Sequence, residues 1–361
     1  MKLTAQVKLL PDEAQAVALK ETLEVANRAA NYLSDYAWET GTFRQYDLHK
    51  VLYYEIRDRF GLSAQVTVRI IAKVADAYKL DRKTRRVFKP TSAIAYDDRI
   101  LKWYTAAGIV SIWTVKGRIA TPYACGDRQK AMLKSRQGET DLAYVNGNFF
   151  LLATCNAEEE VTIEPDGVLG IDLGIVNIAA DSDGETFSGA TINGMRARHR
   201  RLRTKLQGKG TKASRRLLKR RKRKESRFAT HTNHCIAKKI VAKAKDTNRA
   251  IALEDLKGIR SRTTVRKPQR ATHHSWAFFQ LRSFIEYKAA LRGIPVLLVD
   301  PRNTSRTCPS CGSIDKRNRP SQALFSCIGC GFAGPADTIA ARIISGRAVV
   351  NRPCFSPAPG G

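Results

Sequence analysis

Apolar residues recur every three or four positions over three stretches near the start of the chain: Glu13 to about Thr40, Asp47 to Arg59 and Ser63 to Lys79. In the third, Val66, Ile70, Val74 and Ala77 share one stripe, which predicts an amphipathic helix with Ser63 as its N-cap. From Ser92 the period falls to two. The short segments Ala93–Tyr96, Ile100–Trp103, Ile109–Trp113 and Asn148–Leu152 are divided by Asp-Asp, Lys-Gly and Asn-Gly turn signals, and predict a small antiparallel barrel or sandwich. Leu3–Leu9 alternates too and can join that sheet, which makes the helices an insertion between its first strand and the others.

After residue 165 the pattern changes. Val168–Gly174 is an apolar strand interrupted by one carboxylate, Asp172, and Ile178–Ala180 and Glu185–Phe187 flank Asp183-Gly184 as a hairpin. Ala250–Glu254 and Ile294–Asp300 are further apolar strands. Between them Ser275–Leu291 reads as a helix with Phe278, Leu281, Ile285 and Ala289 on one face, and Ala336–Ser345 as a last helix. The Pro- and Gly-rich end, Pro353–Gly361, is expected to be disordered. The fold class expected is therefore α+β and multidomain.

Charge changes the picture. The 63 Lys and Arg against 33 Asp and Glu leave +30 on 361 residues, far more than solubility needs, and predict a polyanionic partner, most simply nucleic acid. No uninterrupted apolar run is longer than Ile294–Val299, which excludes a transmembrane helix, and Met1–Gln6 lacks the apolar stretch of a secretion signal. A cytoplasmic protein is expected, on the nucleoid when bound to DNA. The block Arg196–Arg227 holds 17 Lys and Arg against Glu225 alone, a net +16.

Four of the eight cysteines form Cys308-Pro-Ser-Cys311 and Cys327-Ile-Gly-Cys330, fifteen residues apart, each pair followed by glycine (Gly312, Gly331). Two such turns let four thiolates converge on one ion, which predicts a closed, structural zinc site. Cys125, Cys155, Cys235 and Cys354 are scattered and read as ordinary thiols.

Three acids stand out by position: Asp172 inside an apolar strand, Glu254 at the end of another and Asp337 at the start of a helix. Singly, each has a plain reading as a turn residue, a strand end and a helix N-terminal acid. Together, carboxylates among residues destined for burial need a compensating cation. Three converging would hold one or two Mg²⁺ ions, which can activate a water and stabilise the leaving oxygen of an in-line phosphodiester displacement. This order of elements, with acids at these points, is the RNase H-like arrangement.

The segments Gly170-Ile171-Asp172-Leu173-Gly174 and Ile251–Ile259, and the four-cysteine ribbon followed by Ala336-Asp337, resemble the TnpB family of insertion-sequence-encoded RNA-guided nucleases, relatives of type V CRISPR effectors. Asn233-His234, His274-Ser275-Trp276 and Asp300–Ser305 are similar to its intervening segments, and the match is dense from about residue 165 to 352. The resemblance implies a RuvC-type nuclease domain over 166–305 and 335–352, with catalytic acids at Asp172, Glu254 and Asp337 and the zinc ribbon, 306–334, inserted before the last. It also implies a barrel-like wedge domain over 1–10 and 91–165, interrupted by a helical recognition domain over 11–90. One departure is visible: the family commonly has Asn two residues after the final Asp and again four further on, where this chain has Ile339 and Ile343.

The function so implied is cleavage of DNA beside a short transposon-associated motif, directed by a guide RNA from the transposon end, by a protein monomeric on its RNA. A guide-dependent binder with weak or no cleavage and a strand-joining transposase are the alternatives. The basic block is expected to be a helical insertion, 196–227, against guide RNA or the RNA–DNA duplex, with Arg200, Arg201, Arg203, Lys219, Arg220, Arg221, Lys222, Arg223 and Lys224 on phosphates. Between Lys219 and Lys224 the block has no neutral face. Candidates to read the adjacent motif are Tyr53 and Tyr54 of the second helix and Gln65, Thr67, Arg69 and Lys73 of the third.

Overall fold

The computed structural model describes residues 1–255 and 278–350 and divides into two compact units, Met1–Glu158 and the remainder from Glu159. The predicted motif residues Leu256–Ile259 and His274–Trp276, the start of the helix expected from Ser275, and the tail lie outside the described residues.

In the first unit the order is β1 (Lys2–Leu9), α1 (Glu13–Thr40), α2 (Gln45–Phe60), α3 (Ala64–Leu80), β2 (Ile94–Tyr96), β3 (Leu101–Tyr104), β4 (Ile109–Thr114), β5 (Gly117–Ala124), α4 (Asp127–Leu133), β6 (Arg136–Val145) and β7 (Asn148–Asn156). The three expected helices are present, and Ser63 accepts the Val66 N–H as the cap of α3. The strands form one antiparallel seven-stranded sheet, β2-β6-β7-β1-β5-β4-β3, with the N-terminal β1 at its centre. Its outermost strands, β2 and β3, are consecutive in the chain, so the short link Asp97–Ile100 forces the sheet to curl toward closure. The Trp113 N–H donates to Ile100 O (2.9 Å) and the Tyr96 hydroxyl to Trp113 O (3.1 Å) across that junction. The helices share one core with the sheet: Leu23, Ala30, Leu33, Ile56 and Val74 pack in the same cluster as Val7, Tyr96, Val110 and Leu151.

Unit two contains β8 (Gly167–Asp172), β9 (Asn177–Asp181), β10 (Thr186–Ser188), α5 (Ala190–Lys209), α6 (Lys212–Asp246), β11 (Arg249–Glu254), α7 (Phe278–Leu291), β12 (Val296–Val299), a 3₁₀ turn (Lys316–Asn318), β13 (Leu324–Ser326), β14 (Ala333–Pro335) and α8 (Ala336–Val350). The main sheet runs β10-β9-β8-β11-β12, with β8, β11 and β12 parallel and β9 reversed. Strands buried on both faces read as continuous apolar runs, and here one face packs on Ile236, Ile240, Leu281 and Ile285 of α6 and α7. The other face packs on Ile344 and Ala348 of α8.

The basic block is the front of a longer construction. Helix α6 continues 35 residues to Asp246, and its second half buries Ile236, Ala237, Ile240, Val241 and Ala244 in the core. In its first half Leu218, Arg221 and Glu225 form a half-buried stripe, so the residue turned inward between Lys219 and Lys224 is the charged Arg221 and not a neutral one. No described helix is long and apolar enough to cross a membrane.

Candidate functional site

Asp172 and Glu254 end the adjacent parallel strands β8 and β11, where Leu253 pairs with Ile171. The carboxyl ends of parallel strands are where open α/β sheets place ligands. Asp337, the second residue of α8, comes to the same place through a close packing contact. A Cβ on Gly170 would lie 2.0 Å from Ala341 O and 2.6 Å from Ser345 N, so only glycine lets α8 rest on the β8 backbone. The Ser345 hydroxyl donates to Val168 O (2.7 Å) one step along. From Gly170 to Asp172 the strand rises about 6.6 Å. From Ala341 back to Asp337 the helix rises about 6.0 Å. The two acids therefore reach the same level.

All three carboxylates are half-buried. Burial, then the charges of Glu254 and Asp337, raises the Asp172 pKa to about 7. Glu254 is also raised by burial, opposed by the Thr304 hydroxyl that donates to its Oε1. Asp337 accepts from Asn177 Nδ2 at 2.9 Å and from Arg319 at 3.3 Å. Arg347 donates to Asp300 O (2.8 Å) and Arg302 O (2.7 Å), bracing the loop that carries Thr304. Asn177, Thr304 and Arg319 were not singled out from the sequence. Asn177 lies in the strand after Asp172 and Thr304 in the Asn-Thr-Ser segment, which offered a faint signal; Arg319 offered none. Three hard oxygen donors, one of them costly to ionise unaided, suit Mg²⁺.

The four cysteines meet as their spacing predicts. Among the described residues they are the group of three or more His, Cys, Asp or Glu whose ligand atoms all lie within 4.8 Å. Cys308 Sγ lies 3.6 Å from Cys330 Sγ, and Cys311 Sγ 3.6 Å from Cys327 Sγ. Sulfurs at about 2.3 Å around a tetrahedral ion are about 3.8 Å apart, so the set fits zinc. Gly312 and Gly331 take positive φ (73° and 76°) and return their N–H groups to Cys308 O and Cys327 O. Backbone N–H groups, that of Cys330 foremost, hold the Cys327 thiol below its ordinary pKa, whereas, against a backbone hydrogen bond from Ser313, the neighbouring sulfurs push that of Cys311 up. Ile339 is 2% exposed and packs with Phe325, Cys308 and Cys327, so the residue that departs from the family's Asn helps hold the ribbon against α8. Ile343 is half-buried.

Of the phosphate candidates, Arg200, Arg201, Arg203, Lys219, Arg220 and Lys224 are exposed on α5 and α6, whereas Arg221 is half-buried. The side chains of Lys222 and Arg223 lie outside the described residues. On α2, Tyr54 is 73% exposed and Tyr53 stacks on His49.

The α3 candidates need correcting. Thr67 is fully buried, its hydroxyl donating to Ser63 O (3.0 Å). Lys73 donates to Asn27 Oδ1 (2.6 Å) and Ala93 O (2.9 Å), and burial lowers its pKa to about 8. Gln65 and Arg69 bind Asp97. The polar side of α3 faces its own unit's sheet and linker.

Comparison with known proteins agrees with the motifs. Residues 153–258 match a family model described as a probable transposase, OrfB of IS605 type, and residues 278–344 match a Cas12f1-like TNB domain model. The chain is 30% identical over 190 residues to the CRISPR-associated endodeoxyribonuclease Cas12f1 of Syntrophomonas palmitatica, covering 48% of this chain and 37% of that one. It is 35% identical over 118 residues to a TnpB-like protein of Methanocaldococcus jannaschii, covering 32% and 42%. The chain thus spans less than half the length of these relatives. A solved Cas12f1–sgRNA–target DNA complex contains a chain with the same fold, at TM-score 0.62 and 16% identity over 93% of this chain and 83% of that one.

Proposed function

We propose that this chain, which resembles TnpB and Cas12f proteins in sequence, is an RNA-guided DNA endonuclease dependent on Mg²⁺. The observation that carries the reading is that Asp172, Glu254 and Asp337, from two strands and a helix, lie at one end of the second sheet, near enough for the charges of the latter two to raise the Asp172 pKa. The strand order β10-β9-β8-β11-β12, with β9 reversed, supports the RNase H-like reading. In this reading 166–305 and 335–352 form the RuvC-like nuclease, 306–334 its zinc ribbon, 1–10 and 91–165 the wedge and 11–90 the recognition domain.

Asp172, Glu254 and Asp337 would hold the magnesium, which when bound would supply an activated water and charge stabilisation for phosphodiester hydrolysis. Thr304 engages one oxygen of Glu254 and so sets the direction of the other, whereas Asn177 and Arg319 take one oxygen each of Asp337 and fix its plane. Arg319 brings a fixed positive charge from the ribbon to the rim of the acids. Guide RNA selects the target by base pairing, and the basic α5–α6 face holds backbone phosphates.

A binder without cleavage was suggested only by Ile339 and Ile343, and the packing of Ile339 in the ribbon core gives that residue a structural reason. Strand joining is favoured by the probable-transposase description of one matched family model alone. The test is to purify the protein from a host carrying its locus, sequence the bound RNA and challenge the complex with matched DNA. A discrete RNA and cleavage lost in Asp172→Ala support the reading; strand joining without RNA overturns it.

A further inference from the structure

Helices α5 and α6 lie side by side although both are strongly basic, and beside the buried Leu206 and half-buried Leu218 the seam carries charged side chains where apolar ones are usual. A cavity of about 600 Å³ opens there, its lining including His199, Arg203, Leu218, Lys219, Arg221 and Glu225. This is within the range of roughly 300–1,000 Å³ typical of ligand pockets. Glu225 is the one acid between Arg196 and Arg227, and it sits in the cavity rather than on the outer face. Its carboxylate takes Arg203 at 2.5 Å and lies 3.3 Å from His199 Nδ1. Arg221 donates to that same His199 nitrogen at 3.1 Å. The cations are thus gathered on one anion and one imidazole, inside a cavity larger than those side chains fill.

A carboxylate and a phosphodiester offer a guanidinium the same thing, two oxygens sharing a negative charge. Arg203 is 48% exposed and Glu225 28%, so their pairing is accessible to exchange with an incoming anion. We propose that the α5–α6 cavity is a site for a backbone phosphate of nucleic acid, in which Glu225 holds the phosphate's place until the nucleic acid arrives. The phosphate takes Arg203, Arg221 and Lys219, and Glu225 is left to His199. In the free protein Glu225 keeps two like-charged helices together. On binding, the same residue opposes the ligand, so non-specific polyanions are held less tightly than the block's +16 alone would hold them. The inference deepens the nucleic-acid reading above and rests on it.

The test uses the full chain, with a 20-nucleotide single-stranded RNA and a 20-base-pair DNA duplex as probes, titrated at several salt concentrations. Glu225→Gln is expected to tighten binding about fivefold, the scale of one exposed ion pair. Glu158→Gln, the same charge change at an exposed position in the other unit, is expected to alter it less than twofold. Arg203→Gln should make the slope of log K against log salt shallower by about 0.7–0.9. It should also cost more in the Glu225→Gln background than alone, because in the wild type it removes a competitor's partner as well as a ligand contact. Tightening on RNA only, on duplex only or on both identifies the phosphate's source, and each supports the site. Equal effects of Glu225→Gln and Glu158→Gln overturn it. If Glu225→Gln proves poorly folded by thermal melting, Glu225→Asp keeps the charge but shortens the reach to Arg203, and tightening there decides the matter. Failure of the wild type to bind either probe would strike the nucleic-acid reading itself, whereas wild-type binding with unmoved variants strikes only this site.

Discussion

The cysteine cluster and the proposed carboxylate trio bring anionic side chains toward one place by opposite means. The four cysteines lie within 23 consecutive residues, and two short turns with left-handed glycines aim them. The three acids span 166 residues, from Asp172 to Asp337, and share one end of the sheet only because β8, β11 and α8 pack in one register. Local geometry produces a closed site and long-range packing an open one. The first is therefore sensitive to its ligands alone, the second to residues that never touch a ligand.

The comparison can be broken most severely at Asp172. Asp172→Ala should reduce target cleavage about 10³-fold or more, from several kcal/mol of lost charge stabilisation at about 1.4 kcal/mol per tenfold, while the melting temperature holds or rises. A fall in melting temperature would mean the acid is structural.

Cys308→Ser comes next. It should expose Phe325 and Ile339, open the ribbon to limited proteolysis and remove the Arg319 charge from Asp337, yet leave the first unit's melting transition unchanged. Gly170→Ala tests the long-range register and touches no ligand. With a Cβ 2.0 Å from Ala341 O, it should destabilise the second unit by about 1–3 kcal/mol in urea titration and lower cleavage along with stability.

The mildest probe is pH in magnesium-free buffer. The Asp172 pKa is raised to about 7 in the folded chain from 3.8, so between these values the folded state binds more protons than the unfolded. Stability should therefore fall as pH rises from about 4 to 7, and added Mg²⁺ should flatten that slope. A stability that rises through this window would show that Asp172 is not ionised at a cost.

The same contrast explains what was legible in the sequence. Cysteine spacing, the Ser63 cap and the apolar stripes are local codes, and each appears as written. The acids could be picked out because a carboxylate in an apolar strand is conspicuous, but the register that joins them could not, since Gly170 signals nothing until Ala341 lies against it. Strands β5 and β6 went unread: Gly117–Ala124 contains Pro122, and Arg136–Val145 carries a bulge between Arg136 and Thr140. The polar side of α3 misled for a related reason. Lys73 and Arg69 look like a solvent face in the sequence, but their partners, Asn27, Asp97 and Glu139, are 28 to 70 residues distant.

In the first unit, Lys2 is paired with Asn156 on neighbouring strands, the Met1 amino group donates to Ala157 O at 2.9 Å and the Ala157 N–H donates back to Met1 O at 2.8 Å. The chain thus enters and leaves this unit at a single point. A fold with its doorway in one place is a natural cassette: a linker of a few residues across that point would allow circular permutation, with new termini in the Asn146-Gly147 turn. The same geometry would let the unit be exchanged for another whose ends meet at that spacing, with the sequence of the second unit unchanged.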